Sequence, residues 1–336
     1  MGIYGAEVLL DDAPVFSMAM ERFPFNDTRY VNAGIDYKKW AIDGSKIQHL
    51  SRLPGNRGQF FEALVNDGII DLSDGEVHNV KVVISDHAGN KTMIEMNLQY
   101  NGVQATKKAT FGNVVVPNKG VTVTSAHAAI ELTEASAYDT LFLTMNERSS
   151  ATKGSASPII TIGSKLFPLH DSVIVRIKPN RPAEENKLVL VVHGSHNYFS
   201  VQKPRKQGDY FGARYNKYGE AELIEDVLPP TISGFKEGQR VYNLIKVTVN
   251  DNLKTIEELR GEIDGKWVMF KRSGNSYSYA VDERCPPGPH VLNLKAIDVA
   301  GNITEKQYNF TRSTTPVPPQ IKKKAGKKRS NAKNRR

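Results

Sequence analysis

The sequence predicts an all-β protein made of serial Ig-like β-sandwich modules, followed by a disordered basic C-terminal tail. Short runs of β-branched and aromatic residues recur every 10–20 residues, separated by Pro, Gly and Asn. An internal repeat ends each time in a hairpin turn, and few helical periods occur. The modest helical candidates are Ile35–Ile42 and Thr255–Leu259. A single cysteine, Cys285, excludes the internal disulfide of many Ig domains.

The length of 336 residues predicts two or three domains. From the repeat and the composition we predict an N-terminally truncated Ig-like module at 1–100, a second β-sandwich module at 101–228, a C-terminal Ig-like module at 229–313 and the tail at 314–336.

The internal repeat relates residues 78–92 (HNVKVVISDHAGNKT) to residues 290–304 (HVLNLKAIDVAGNIT). In both copies, alternating apolar residues lead into Asp-x-Ala-Gly-Asn and a second alternating run, which predicts a β-hairpin. Glycine supplies the positive φ of such a turn, and Asp and Asn bond its backbone amides. We favour this structural role for the Asp/Asn pairs. The alternative is calcium ligation, which needs about six or more oxygen ligands, whereas each turn offers two such residues.

A weaker match aligns Glu7–Phe16 with Glu262–Phe270 at a different offset, so the first copy carries a 41-residue insertion within 21–71. The second copy has two more strand-like runs before its hairpin, Thr231–Val241 and Leu244–Val249. The first copy has almost nothing before Glu7. We therefore expect the chain to start inside its first module and to expose an apolar sheet edge around Val8–Phe16.

The middle of the chain contains six further strand-like runs. They are Asn113–Val116, Ala128–Leu132, Thr140–Thr144, Ser172–Ile177, Leu188–His193 and Ala213–Tyr215.

A search for catalytic motifs identifies no site. None of the eight histidines begins a His-x-x-x-Asp, His-x-His or His-Glu-x-x-His motif, the spacings typical of zinc peptidases. His193 and His196 come nearest, and a turn after a buried strand is the favoured interpretation. Nucleophile elbows, Walker loops and Gly-x-Gly-x-x-Gly are absent from the sequence.

Aromatic and basic residues alternate through 198–218, a pattern that can stack nucleobases or sugars. We favour strand alternation with the aromatic side chains turned inward. Trp40 lies in the insertion and Trp267 fits a hairpin core position, and neither requires a ligand.

The net charge of +9 comes entirely from the tail, because residues 321–336 hold nine Lys or Arg and no acid. The rest of the chain has 36 basic and 36 acidic residues, so nucleic acid is an unexpected partner for it. No apolar run approaches the roughly 20 residues of a membrane span, and the first 20 residues contain no basic residue of a secretory signal. The tail is a candidate polyanion-binding segment, with Lys322, Lys323, Lys324, Lys327, Lys328 and Arg329 as its site residues.

Several segments resemble one known family. They are GIYGAEV at 2–8, MERFPFNDTRYVNAGIDY at 20–37, LPGN at 53–56 and DLSDGEVHNVKVVISDHAGN at 71–90. In this order they are similar to the region that follows the catalytic domain in Bacteroidota-type LytM/lysostaphin-type zinc metallopeptidases. Later segments, among them LPPTISGF at 228–235 and CPPGPHVLNLKAIDVAGN at 285–302, resemble the last Ig-like module of the same proteins.

This resemblance implies a protein of the cell envelope or periplasm whose family cuts peptidoglycan peptides with a zinc-bound water. The metal ligands of the family lie in a catalytic domain whose motifs this chain lacks, so no catalytic, metal or cofactor residue is carried over. We expect a non-catalytic accessory region, from a truncated or split gene product, that positions or regulates a catalytic domain. The expected partners are a separately encoded catalytic domain, peptidoglycan or anionic envelope components. The alternative is an envelope-adhesion or polyanion-binding module that acts through the tail.

Overall fold

The computed structural model describes residues 3–103, 112–164, 166–194 and 199–316. The protein is all-β, as the sequence predicts, with 26 strands and two short α-helices among these residues. It forms two compact units, Met1–Asp226 and Val227–Arg336. No helix among the described residues is long and apolar enough to cross a membrane.

The first unit begins with a five-stranded antiparallel sheet in the order β3-β2-β1-β4-β5. Two helices lie between its second and third strands in the chain, where the insertion is predicted. Asp36 caps the second helix, because its carboxylate accepts from the Lys39 N–H at 2.9 Å. The elements are β1 (Gly5–Leu10), β2 (Ala13–Ala19), α1 (Thr28–Ala33), α2 (Tyr37–Asp43), β3 (Phe61–Leu64), β4 (Val77–Ser85) and β5 (Lys91–Gln99), with 3-10 turns at Phe25–Asp27 and Asn66–Gly68.

A β-sandwich forms the rest of the first unit. Its sheets have the orders β10-β11-β17-β13-β14 and β15-β16-β12-β8-β7, and β6 pairs with β9 beside them. Ile130, Ile177 and Leu190 are fully buried in its core. The strands are β6 (Asn113–Val115), β7 (Val121–Thr124), β8 (Ala128–Leu132), β9 (Leu141–Leu143), β10 (Met145–Arg148), β11 (Ile159–Ile162), β12 (Val173–Ile177), β13 (Leu188–Gly194), β14 (Phe199–Gln202), β15 (Arg205–Gln207), β16 (Tyr210–Tyr215) and β17 (Gly219–Glu225), with a 3-10 turn at Glu185–Lys187.

The second unit is a sandwich of a four-stranded sheet, β18-β20-β24-β23, and a five-stranded sheet, β19-β26-β25-β21-β22. Both sheets contribute to one core, which contains Val247 and Leu292. The strands are β18 (Thr231–Ser233), β19 (Gln239–Val241), β20 (Leu244–Asn250), β21 (Ile256–Ile263), β22 (Lys266–Val268), β23 (Lys271–Ser273), β24 (Ser276–Ala280), β25 (Gly288–Asp298) and β26 (Ile303–Arg312).

The predicted repeat is a repeat of structure. Asp11-Asp12 and Asp264-Gly265 form two-residue hairpin loops between matching strands, and all four residues have positive φ. Asp tolerates this left-handed conformation better than most residues, and it recurs at the first loop position in both copies. The weaker sequence match between Glu7–Phe16 and Glu262–Phe270 is therefore confirmed at this turn.

In each copy, the Asp at the first position of this loop binds the first strand of the second hairpin of the repeat. Asp11 Oδ2 lies 2.6 Å from His78 Nδ1, and Asp11 Oδ1 accepts from the Asn79 N–H at 2.8 Å. Asp264 makes the same two contacts with His290 Nδ1 and the Val291 N–H, at 2.6 and 2.9 Å. We call each set a His–Asp clasp. It joins two hairpins that are distant in sequence and so sets the order of the sheet.

The Asp-x-Ala-Gly-Asn turns also agree between the copies. Asn90 donates its backbone N–H and its side-chain amide to the two oxygens of Asp86 at 3.0 and 2.8 Å. Asn302 donates in the same way to Asp298 at 2.8 and 2.9 Å. These are the turn hydrogen bonds that the favoured structural role of the Asp/Asn pairs predicts.

The two copies of the repeated sheet differ in what covers their apolar face. In the second unit the cover is the sheet that contains β20 and β24. In the first unit the insertion supplies Val31, Leu50 and Phe60, which pack against Val8 and Phe16. The expectation of an exposed edge around Val8–Phe16 is therefore wrong, because both residues are buried and β3 extends the sheet beyond β2.

Most of the large exposed apolar residues of this sheet lie instead on β5, every residue of which is exposed. Ile94 and Met96 pair across from Val82 and Val80, on the face that the insertion covers only in part. Their side chains are 56% and 37% exposed.

Three sequence predictions of local structure are wrong and one is confirmed. Trp267, expected at a hairpin core position, is 53% exposed on β22. Thr255–Leu259 is not helical, because it pairs as part of β21 with β25. Thr231–Val241 forms two strands in different sheets, since Gly234 and Gly238 take positive φ between them. Ile35–Ile42 corresponds to α2.

The His–Asp clasp of the first unit predicts a pH-dependent stability. Hydrogen bonds that the His78 ring donates to Asp11 and then to Asp74 raise the pKa of His78 from 6.5 to about 9. Because the folded-state pKa exceeds the unfolded one, the stabilisation is complete below about pH 6.5 and is lost as the pH rises through about 9. We expect His78→Gln to lower the melting temperature at about pH 6.5 and to have a much smaller effect above about pH 9.

The control is His87→Gln, which changes an exposed histidine outside the clasp. A His78→Gln effect that stays constant over this pH range would contradict the charge-assisted clasp.

Candidate functional site

Several histidines of the described residues make structural contacts. His78 and His290 form the clasps, and His127 Nδ1 lies 2.7 Å from a carboxylate oxygen of Glu147. The ring of His193 packs against Phe199 with centroids 5.1 Å apart, while His196 lies outside the described residues. Within the described part of the chain, no histidine joins a group of three or more side chains that could hold a metal ion.

The predicted basic-aromatic stretch turns its aromatic residues inward. Phe211, Tyr215 and Tyr218 are buried in the sandwich core. The Tyr215 hydroxyl donates to the Leu190 carbonyl at 2.8 Å, which ties the two sheets together. The interpretation as strand alternation is confirmed for these three residues, while Tyr198 lies outside the described range.

In the C-terminal unit, Asp251 and Asp298 place carboxylate oxygens within 4.8 Å of each other. Asp251 Oδ2 accepts from the Leu253 N–H at 2.8 Å, and both Asp298 oxygens accept from Asn302. Both carboxylates therefore accept hydrogen bonds that hold their own loops in shape. Calcium ligation at the Asp-x-Ala-Gly-Asn turn that begins with Asp298 stays a hypothesis.

Parts of the segments 20–37 and 53–56 build a joint inside the first unit. We define the joint as the contact of residues 29–30 and 53–58 with Asn118, Tyr138 and His170 of the sandwich. The Gly55 N–H donates to the Tyr138 carbonyl at 2.8 Å, and the Asn118 side-chain amide donates to the Pro54 carbonyl at 3.3 Å.

Aromatic side chains complete the joint. The Tyr30 ring stacks on His170 with centroids 4.3 Å apart and planes 17° apart. The Tyr138 hydroxyl donates to the Arg29 carbonyl at 3.1 Å and lies 2.9 Å from His170 Nδ1. Burial raises the pKa of Tyr138 to about 12 and, with the nearby Arg29 charge, lowers the pKa of His170. Both groups are therefore neutral near pH 7.

The buried Asn56 side chain holds the loop of the joint in shape. It is 4% exposed, donates to the Tyr30 carbonyl at 3.0 Å and accepts from the Gly58 N–H at 3.0 Å. An Asn is suited to this position because its amide offers a donor and an acceptor at once.

Beside the joint, the insertion and one end of the first sheet enclose an apolar cleft of about 730 Å³. We call it the Trp40 cleft. Tyr37 and Trp40 of α2 present rings 5.5 Å apart with planes inclined by 50°. The bridge between Ile35 and Gln48 pins the two chain segments that form one wall. The lining residues are Ile3, Met20, Val31, Asn32, Ile35, Tyr37, Trp40, Lys46 and Gln48.

A second pocket, of about 360 Å³, is polar and lies on the sandwich. Ser150 and Ser155 line it, and both donate to the buried Glu222 carboxylate, at 2.7 and 3.0 Å. Thr152 donates to the same carboxylate at 3.0 Å. These three hydroxyls satisfy Glu222 and fix the loop that precedes β11.

Sequence reasoning missed the Trp40 cleft. The available signal was the pair Tyr37 and Trp40, which lie three residues apart on a predicted helix and so share one face. The six predicted polyanion-binding residues, Lys322 to Arg329, lie outside the described residues.

No protein-family model matches the chain, and no curated protein matches it. Three solved structures illustrate what the fold is similar to. CopC from Methylosinus trichosporium OB3b is 20% identical, with 23% of this chain and 85% of that chain covered and a TM-score of 0.20. Fibronectin(III)-like modules of Clostridium thermocellum CbhA are 14% identical, with coverages of 42% and 84% and a TM-score of 0.22. SGBP-B of the Bacteroides ovatus mixed-linkage glucan utilization locus, solved with a heptasaccharide, is 12% identical, with coverages of 92% and 60% and a TM-score of 0.19.

The joint predicts that Gly55→Ala destabilises the first unit. A Cβ at Gly55 would contact the Ala137 carbonyl oxygen and lie 2.8 Å from Tyr138 Cα, both of them backbone atoms. Since backbone cannot give way as a flexible side chain does, we expect a loss of about 1–3 kcal/mol in the free energy of unfolding. Denaturant unfolding measures the loss, and hydrogen exchange should show faster opening at 53–58 and 136–139.

The matched control is Gly120→Ala, whose Cβ would meet one atom, the Leu132 carbonyl oxygen, at 3.3 Å. If both alanine variants unfold at the same denaturant concentration, the close packing of the joint is wrong.

Proposed function

We propose that this chain is the non-catalytic β-sandwich region of a peptidoglycan zinc metalloendopeptidase and that it positions a catalytic domain at the cell wall. The observation that carries the proposal is the location of the family-like segments in the joint. Residues 53–56 and Tyr30 make hydrogen bonds and stacking contacts between the insertion and the sandwich. These are scaffold contacts, and a rigid scaffold is what an accessory region needs in order to hold a partner domain in place.

The placement of the histidines supports the same proposal. A catalytic zinc site needs three protein ligands and an open position for water. In this chain His78, His127 and His290 are each engaged by a carboxylate on a different part of the fold. A lysostaphin-type site would have to come from residues outside these three histidines, in a separate catalytic domain.

The alternative is an envelope-adhesion or polyanion-binding module that acts through the tail. The observation that favours it is the charge distribution, because all of the net charge of +9 lies in residues 321–336. Binding of this kind would be strongly salt-dependent, since it replaces counterions on the polyanion.

We expect the purified chain to bind no stoichiometric zinc and to release no peptide from peptidoglycan, yet to sediment with insoluble peptidoglycan. Metal analysis after a chelator wash and zinc loading measures the first, and chromatography of the soluble fraction measures the second. The control is the double variant His193→Ala/His196→Ala, which we expect to sediment like the wild type. One equivalent of zinc that the double variant loses would contradict the non-catalytic proposal.

Deletion of 321–336 separates the two candidate functions. The accessory-region proposal predicts that the shortened chain still sediments with peptidoglycan at about 0.3 M salt, where the Debye length is well under 10 Å. Melting temperature should not change. If sedimentation is lost together with the tail, or falls steeply with salt in the full chain, the polyanion-binding alternative replaces the proposal.

A further inference from the structure

The Trp40 cleft takes no part in the scaffold contacts of the joint, and it has the dimensions of a small-ligand site. Its volume of about 730 Å³ falls within the usual range of roughly 300–1,000 Å³ for such sites. Its lining is mostly apolar with a few polar side chains, which is also typical of sites that recognise small molecules.

The walls of the cleft are held in place before any ligand arrives. Val31 packs into the core of the first sheet, one residue after Tyr30 of the joint. The Asp36 N–H donates to the Ile47 carbonyl at 2.8 Å, and the His49 N–H donates to the Gly34 carbonyl at 2.7 Å, which fixes the wall that carries Gln48. A preformed site loses little conformational entropy on binding.

We propose that the Trp40 cleft binds an N-acetylated amino sugar that carries a carboxylate, a class of unit found in wall glycan. The choice of glycan rests on the function proposed above. Trp40 and Tyr37 offer flat apolar surfaces to the C–H face of a pyranose ring. Ile3 and Met20 of the floor would accept the methyl of an acetamido group, and burial of that methyl would favour binding.

The polar side chains of the cleft complete the match. Asn32 and Gln48 each carry an amide, which donates and accepts and so suits hydroxyl and acetamido groups. The Lys46 ammonium, exposed at the rim, would pair with the carboxylate of the sugar. A fatty acyl chain offers no hydrogen-bond partner to either amide, so the polar part of the lining favours a sugar over an alkyl ligand.

The test is a titration of the full chain by calorimetry with four probes. They are the disaccharide of N-acetylglucosamine and N-acetylmuramic acid, the N-acetylglucosamine dimer, cellobiose and sodium decanoate. We expect the first to bind most tightly, the second to bind more weakly and the last two to give no heat. Binding that is equal for cellobiose, or limited to decanoate, would overturn the inference.

Two variants test the assigned residues. Trp40→Ala should abolish sugar binding, and Trp267→Ala, a change at an exposed tryptophan of the other unit, should leave it unchanged. Lys46→Gln alters an exposed rim residue and should lower the affinity for the carboxylate-bearing sugar roughly tenfold, with little effect on the N-acetylglucosamine dimer. Equal affinities in wild type and both cleft variants would overturn the site, and the melting temperatures of the variants show whether each is folded.

In a Trp267→Phe background, Trp40 is the remaining tryptophan, so its fluorescence reports the cleft alone. The inference predicts a saturable change on addition of the muramic-acid disaccharide. Sedimentation with peptidoglycan measured in parallel separates the two proposals. A chain that sediments with peptidoglycan but binds no soluble sugar refutes the cleft and leaves the accessory function in place.

Discussion

The constraint on which this structure depends is that a β-sheet with one apolar face must have that face covered. The two repeated sheets meet it in different ways. In the C-terminal unit a second sheet provides the cover, with Val247 and Leu292 in the shared core. In the N-terminal unit the insertion provides it, through Leu50 and Phe60. The Trp40 cleft and the joint of the first unit follow from this difference, because the insertion builds part of each.

An insertion that covers a sheet also creates surfaces of its own. Short helices and loops pack less regularly on a sheet than a second sheet does, so they leave the Trp40 cleft at one end. The same insertion turns its other side toward the sandwich and forms the joint, where Gly55 fits because a side chain would meet the backbone of residues 137–138. Cover, cleft and joint are thus consequences of one segment, residues 21–71.

The insertion does not cover the whole sheet. Strand β5 stays exposed, with Ile94 and Met96 open to solvent on the apolar face. An exposed edge of this kind is available for strand pairing. The His–Asp clasp holds the neighbouring hairpins together at the start of β4, since Asp11 binds both the side chain of His78 and the N–H of Asn79.

Alternation, turn residues and the repeat are local, so the sequence by itself determined the all-β class, the hairpins and the role of Asp86 with Asn90. It also located the insertion and predicted that Phe211 and Tyr215 turn inward, because inward and outward positions alternate along a strand. Only the tertiary structure decided which strands pair with each other and which residues cover them. Thr255–Leu259 has a helical period but becomes a strand because β25 offers it hydrogen-bond partners. Val8 and Phe16 are buried because residues some 35–45 positions later in the chain, such as Leu50 and Phe60, pack against them. Ile3 and Trp40 both line the cleft. No local sequence pattern predicts that they lie in one site, because the free energy of such an arrangement comes from burying residues that are far apart in the sequence.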